Sequence, residues 1–453
     1  MKKTRLEIDA LGSVEVPAES YGGSFSVRAR ENFQISSLRA PASFRVALAF
    51  VKISAAEVNA DLGHLPKSSA AAIVQAGQEF IEGLFDADFD LDVYQAGAGT
   101  PYNMTLNEIL ANRANELLGG KKGVYSPVHP NNHVNMAQSS NDVIPTAIRL
   151  AALMDLSPVF QYGEAVVETL LKKANEFEDV LKVGRTHLQD AVPVTLGQEF
   201  QAYADSLDNA LERLEGAAME MADVGIGATA VGTGINTHAQ FAQKMRDSLG
   251  EKMGLPLRGM NPFENNHSMA SFLALSGALR GLATELLRVC NDLRLMAGPL
   301  AEISLPELEP GSSIMPGKVN PSALECVSMI CVQVLGMDHA IALSAQQGQL
   351  ELNWYTPLIM IDLLHSLEIL GTGMELLDED CLKGIKANAV QMETVLENSS
   401  AMATALAPVL GYHETAELVK EAKAKKVPFV SLVPKAFQKE LKLENLVKPN
   451  RKK

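Results

Sequence analysis

Residues 311–321 read Gly-Ser-Ser-Ile-Met-Pro-Gly-Lys-Val-Asn-Pro. Two hydroxyls (Ser312, Ser313), one cation (Lys318) and one amide (Asn320) share a short segment in which Pro310, Pro316, Gly317 and Pro321 exclude regular structure. A polar loop of this kind between apolar helices is suited to hold an anion and move a proton. Three other segments carry related chemistry. In Gly97-Ala98-Gly99-Thr100 the glycines let backbone N–H groups approach an anion, and Thr100 adds a donor. Ser139-Ser140-Asn141-Asp142 stands where a helix begins, so its hydroxyls and N–H groups face the positive helix end; taken alone it is a capping cluster. Gly184-Arg185-Thr186-His187-Leu188-Gln189-Asp190 offers a hydroxyl beside an imidazole. Gly225-Ile226-Gly227 and Gly232-Thr233-Gly234 lack the strand–turn–helix context of a dinucleotide site. No zinc or calcium spacing occurs, so no metal and no cofactor is expected.

Helices must position these segments. Phe272, Leu275, Leu279, Leu282, Leu286, Val289, Leu293 and Met296 recur in alternating threes and fours, a strict seam for packing long helices. Leu196, Phe200, Tyr203, Leu207, Leu211, Leu214, Ala218 and Met221 form another, with Pro193 and Thr195 as its predicted start. A third helix is predicted from Ser140–Asp142 to about residue 174, with Pro145 in its first turn. A fourth is predicted from Pro321 and a fifth from near Leu352. The alternation Leu6, Ile8, Gly12-Ser13, Val14, Val16 predicts a short N-terminal hairpin. The expected fold is all-α: a long central helix bundle (139–393), a mostly helical N-terminal domain (1–138) and a small C-terminal domain (394–453).

The 453 residues carry a formal net charge of −15, which disfavours nucleic acid and anionic membranes as partners. Met1-Lys2-Lys3 is followed by no apolar core, and no uninterrupted apolar run approaches the roughly 20 residues of a spanning helix. Lys448-Pro449-Asn450-Arg451-Lys452-Lys453 reads as a solvated tail. Cys290, Cys326, Cys331 and Cys381 form no metal-type pair and read as reduced thiols. The expected location is the cytoplasm.

The loop at 311–321 resembles the signature loop of the fumarase/aspartase superfamily, whose members eliminate water, ammonia or an amine from a carboxylate substrate. The blocks at 97–100, 139–142 and 184–190 resemble further family motifs, in order along nearly the whole chain. Such an elimination removes a weakly acidic C–H proton, and the resulting dianion needs several positioned donors. The resemblance implies Ser312 as the base, working as an alkoxide stabilised by N–H groups and by Lys318. It implies Thr100, Ser139, Ser140, Asn141, Thr186, Ser313, Lys318 and Asn320 as substrate ligands. His187 would handle the leaving group, oriented by Glu325. His129, Asn131 and Asn132 resemble an accessory anion site, with Asn132 departing from the usual Asp. The resemblance also implies a homotetramer with active sites shared between subunits, acting on a small carboxylate or amino acid.

Ala98, Asp92–Gln95, Arg28-Ala29 with Glu31–Phe33, and Gly348–Asn353 look closer to aspartate ammonia-lyase, whereas Ser140 matches fumarases. The expected reaction is therefore release of ammonia from aspartate or a close analogue to give fumarate. The alternatives are fumarate hydration, a bulkier amine-lyase resembling ergothionase, and a non-catalytic family member. Tyr102, Trp354 and Tyr355 motivate the bulkier amine, since aromatics beside an amine site hold a cation by cation–π attraction.

Overall fold

The computed structural model describes residues 3–447; Met1-Lys2 and the tail 448–453 lie outside the described residues. Strands β1 (Thr4–Asp9) and β2 (Gly12–Pro17) precede helices α1 (Ser24–Asn32), α2 (Ala42–Asp61), α3 (Lys67–Ile81), α4 (Thr100–Leu117) and α5 (Ser140–Glu176). Strands β3 (Leu181–Thr186) and β4 (Gln189–Thr195) lead into α6 (Leu196–Ala218), α7 (Phe241–Met253), α8 (Pro262–His267), α9 (Ala270–Ala297), α10 (Ser322–Ala345) and α11 (Thr356–Asp380). Helices α12 (Ala389–Asn398), α13 (Ala403–Leu410) and α14 (Tyr412–Lys425) follow, then short turns of helix. The fold is all-α with long central helices and a short N-terminal hairpin, as expected.

Both apolar seams are buried along their full length, from Phe272 to Met296 and from Leu196 to Met221. The start of α6 needs one correction. Thr195 begins it through a capping box, with Gln198 N–H donating to Thr195 Oγ1 at 3.1 Å and Thr195 N–H to Gln198 Oε1 at 3.1 Å. Pro193 instead sits in β4 opposite Val183. Helix α11 begins at Thr356, later than expected, because buried Asn353 closes the preceding helix. Its Nδ2 donates to the carbonyls of Ser344 and Ala345 at 3.0 and 3.2 Å. By length and composition alone, Ser140–Glu176, Ala270–Ala297, Ser322–Ala345 and Thr356–Gly384 are long and apolar enough to cross a membrane. Isolated charged or polar residues break each of these helices into short apolar stretches, so none shows as an uninterrupted apolar run in the sequence.

Contacts divide the chain into two units. The first comprises residues 1–158, 213–281 and 333–369. In it, buried Glu108 of α4 accepts the backbone N–H groups of Gly23, Phe25 and Ser26 at 2.8–3.0 Å, supplying the cap that the start of α1 lacks locally. Phe44, Phe80, Phe89 and Tyr102 form a ring cluster joining α2, α3 and α4. The second unit comprises residues 159–212, 282–332 and 370–453. There Val183 of β3 packs with Leu396, Met402, Leu406, Ala422 and Phe429 in one apolar cluster. The β3–β4 hairpin, unforeseen in the sequence, is anchored by a buried carboxylate: Glu302 pairs with Lys182 at 2.6 Å and with Arg185 at 2.7 Å.

Candidate functional site

The loop at 311–321 is irregular, as its breakers demand, and closes on itself in the second unit. Asn320 Nδ2 donates to the Gly311 carbonyl at 2.6 Å and ties the two ends together. At the crossing, a Cβ on residue 311 would lie 1.8 Å from the Lys318 carbonyl oxygen, so only glycine fits. Inside the loop, Ser312 Oγ accepts the backbone N–H groups of Ile314 and Met315 at 3.2 and 3.0 Å. Two donors aimed at one hydroxyl oxygen favour its anion over its neutral form. Ser312, Met315 and Lys318 line a cavity of about 560 Å³ with Glu307 and Leu308. Ser313 and Lys318 are exposed.

Thr186 ends β3, and His187 with Leu188 forms the two-residue turn to β4. Both turn residues have positive φ, +54° and +58°. That is the conformation a tight hairpin demands and that glycine or asparagine ordinarily supplies. Holding a histidine and a leucine there stores backbone strain, a hallmark of residues kept for function. Thr186 and His187 are exposed at the tip while the Lys182–Glu302–Arg185 ion pairs fix the base of the hairpin. Glu325, on the first turn of α10, lies 3.9 Å from Arg294, and among the described residues no hydrogen bond joins it to His187 within the chain.

In the first unit, Gly99 in the left-handed region (φ +67°) precedes Thr100, the first residue of α4. Ser139 begins α5 by a capping box with Asp142: Ser139 N–H donates to Asp142 Oδ1 at 2.9 Å, and Asn141 N–H to Ser139 Oγ at 3.3 Å. Asp142 is fully buried, and its Oδ2 takes the N–H groups of Gly227 and Thr229 at 3.0 and 2.9 Å. Burial nevertheless pushes its carboxyl up to about 6. Asn141 Nδ2 donates to the Ala230 carbonyl at 2.7 Å. Ser140 Oγ accepts from Asn103 Nδ2 at 3.0 Å, which leaves its own proton to donate to an incoming oxygen.

Behind Ser140 lies a polar chain that sequence reasoning missed. Lys52 of α2 is fully buried and donates to Asn135 Oδ1 at 3.1 Å and Gln138 Oε1 at 2.9 Å. The signal was present, since Lys52 interrupts the apolar run Ala47-Leu48-Ala49-Phe50-Val51. Burial drops its ammonium to about 7.

At the expected accessory site, the N–H groups of Asn131 and Asn132 are already taken by His129 Nδ1, at 3.1 and 3.3 Å. Asn131 and Asn132 thus open a short helical segment, Pro130–Val134, that His129 caps. Tyr102 is fully buried in the ring cluster, which removes it from any amine pocket. Trp354 is 45% exposed and stacks on Tyr355 at 4.0 Å. Its carbonyl accepts Ala98 N–H at 2.9 Å, and its side chain rests on Gly97.

The family model described as Lyase matches residues 12–336. The class II fumarate hydratase 2 of Bradyrhizobium diazoefficiens is 44% identical, with 93% of this chain and 90% of that protein aligned. The class II fumarate hydratase of Nitrosomonas europaea is 45% identical, with 93% of each covered. The crystal structure of recombinant class II fumarase from Schistosoma mansoni superposes with a TM-score of 0.93 at 35% identity, covering 97% of this chain and 98% of that one. These likenesses overturn the expected ammonia release from aspartate. Ala98 and the 348–353 block, which suggested it, do not mark an ammonia-lyase.

Proposed function

Because this chain belongs to the lyase family of the fumarase/aspartase superfamily, we propose that it is a fumarate hydratase, interconverting malate with fumarate and water. The observation that carries this reading is the Ser312 hydroxyl held by two backbone N–H groups inside a loop that also carries Lys318. In the elimination direction Ser312 takes the proton from the carbon beside the carboxylate. The electron pair spreads into that carboxylate, which Lys318 and Asn320 grip, with Ser313 as an adjacent donor. Thr100, Ser139, Ser140, Asn141 and Thr186 hold the substrate from other segments. The C–O bond then breaks, and His187 gives a proton to the departing hydroxide, so water leaves.

Glu325 orients His187 from a neighbouring subunit, since within the chain its ion pair is with Arg294. A homotetramer supplies that neighbour. Met329, Val332 and Leu343 of α10 are 67%, 59% and 48% exposed, an apolar face suited to burial against other copies. Segments 1–138, 139–393 and 394–453 act as its three domains, and the enzyme works in the cytoplasm. The test is the absorbance of fumarate in the near ultraviolet. Malate alone should raise it and fumarate alone should lose it, with no ammonia required. No change with either substrate would refute the hydratase.

A further inference from the structure

Lys52 has an unusual set of partners for a buried cation. Among the described residues its ammonium donates to two amide oxygens, Asn135 Oδ1 and Gln138 Oε1, and no carboxylate lies within ion-pair distance. Asp142 acts on it through space only, and that carboxylate itself accepts three backbone N–H groups. A lysine serving the fold alone would be replaced by an apolar residue of similar volume without loss, since a desolvated charge is weak as glue.

The ammonium does impose direction. It has donors only, so Asn135 and Gln138 must turn their oxygens toward it. Asn135 Oδ1 also accepts from Asn103 Nδ2 at 3.2 Å. Asn103 is thereby fixed with its NH₂ group toward Asn135, and the same nitrogen donates to Ser140 Oγ at 3.0 Å. The polarity runs one way from Lys52 through Asn135 and Asn103 to Ser140. Gln138 is held in the same sense by its Nε2, which donates to the Val134 and Met136 carbonyls at 3.0 and 3.1 Å, whereas Asn135 Nδ2 has only the Gln138 carbonyl at 3.3 Å. Without the ammonium Asn135 loses one of its two anchors and can flip with Asn103, and Ser140 can then spend its proton on Asn103 rather than on substrate.

We infer that Lys52 is the positioning residue that fixes Ser140 as a hydrogen-bond donor to a substrate carboxylate. This rests on the reading of Ser140 as a carboxylate ligand. Lys52 never touches substrate; it acts through the amide chain.

The experiment compares Lys52→Met, Asn103→Ala, Ser140→Ala and the double variant Lys52→Met/Ser140→Ala in the full-length protein at pH 6, where Lys52 holds its proton. Malate turnover and calorimetric binding of succinate, a non-reacting dicarboxylate, are both read, with thermal melting as the fold control. Lys52→Met should raise KM and weaken succinate binding by about tenfold, the size of one charge-assisted contact, with a smaller change in kcat. The double variant should be no worse than Ser140→Ala alone, because both changes cut the same path. Should Lys52→Met fail to fold, Asn103→Ala cuts the path while leaving Lys52 in place and should show the same loss. Succinate binding within twofold of wild type in a folded Lys52→Met or Asn103→Ala variant overturns the inference, and so do effects of Lys52→Met and Ser140→Ala that simply multiply. A wild-type protein inert toward malate would instead refute the hydratase, while succinate binding still decides the role of Lys52.

Discussion

A thiol introduced by Ser312→Cys turns the proposed base into a group whose ionisation can be followed directly. The Ile314 and Met315 N–H groups point at this oxygen from 3.2 and 3.0 Å. A hydrogen bond to a neutral acceptor is worth about 1 kcal/mol net and one to an anion about 2 kcal/mol, so ionisation gains about 1 kcal/mol per donor. Two donors give about 2 kcal/mol, or about 1.5 pH units at about 1.4 kcal/mol per unit. Longer bonds to sulfur and partial solvent exposure reduce this to about one unit, so the thiol should titrate near 7.5 rather than its ordinary value of about 8.5. The assay is the pH dependence of alkylation by iodoacetamide, read by intact mass. The native thiols interfere little. Burial pushes Cys290 far up and Cys331 and Cys381 up to about 12, and the partly buried Cys326 is removed by Cys326→Ser. A midpoint at or above about 8.5 would show that the loop does not stabilise an anion at position 312, and the assignment of the base would fall with it.

Mixing inactive Ser312→Ala and His187→Ala proteins should restore part of the malate turnover as subunits exchange, because hybrids contain some intact pockets; no recovery despite proven exchange would place each site within one chain. Leu188→Val puts a β-branched residue at φ +58° and should cost about 1–2 kcal/mol of stability, whereas Leu188→Gly should cost little; equal melting of the two variants would show that the turn is not strained. Lys52 also governs a pH dependence of stability. Its folded-state value is lowered from 10.5 to about 7, so between those values the unfolded chain binds the extra proton and stability rises with pH, by about 1.4 kcal/mol per unit for one proton. Denaturant unfolding of wild type minus Lys52→Met should show that rise across the window and none below it; parallel curves would show that the ammonium is not desolvated.

The long helices were legible because apolar residues at threes and fours have few other meanings: the eight seam residues from Phe272 to Met296 are all buried. The β3–β4 hairpin was not. Gly184 and Pro193 weaken its strand pattern, and its turn uses His187-Leu188 where a sequence rule looks for Asn-Gly. The polar segments themselves stood out, but not the groups that aim them, since backbone donors such as Ile314 and Met315 N–H carry no side-chain signature. The leaving group was misread for a related reason. Ala98 is buried with φ +59° and its N–H is bound to Trp354, so its residue type answers to the geometry of a turn rather than to whether ammonia or hydroxide departs.

Trp354 is the only tryptophan in the chain, and it sits against the backbone of the glycine-rich segment that delivers Thr100. Its indole is half open to solvent and stacked on Tyr355, a setting in which emission responds both to water and to the neighbouring ring. The chain therefore carries one native indole fluorophore at this place, with no second one to dilute it. A carboxylate that draws Thr100 inward would tug on the Ala98–Trp354 hydrogen bond and change the colour of that light. Occupancy of the pocket can thus be watched in unlabelled protein, even in variants too slow to turn over.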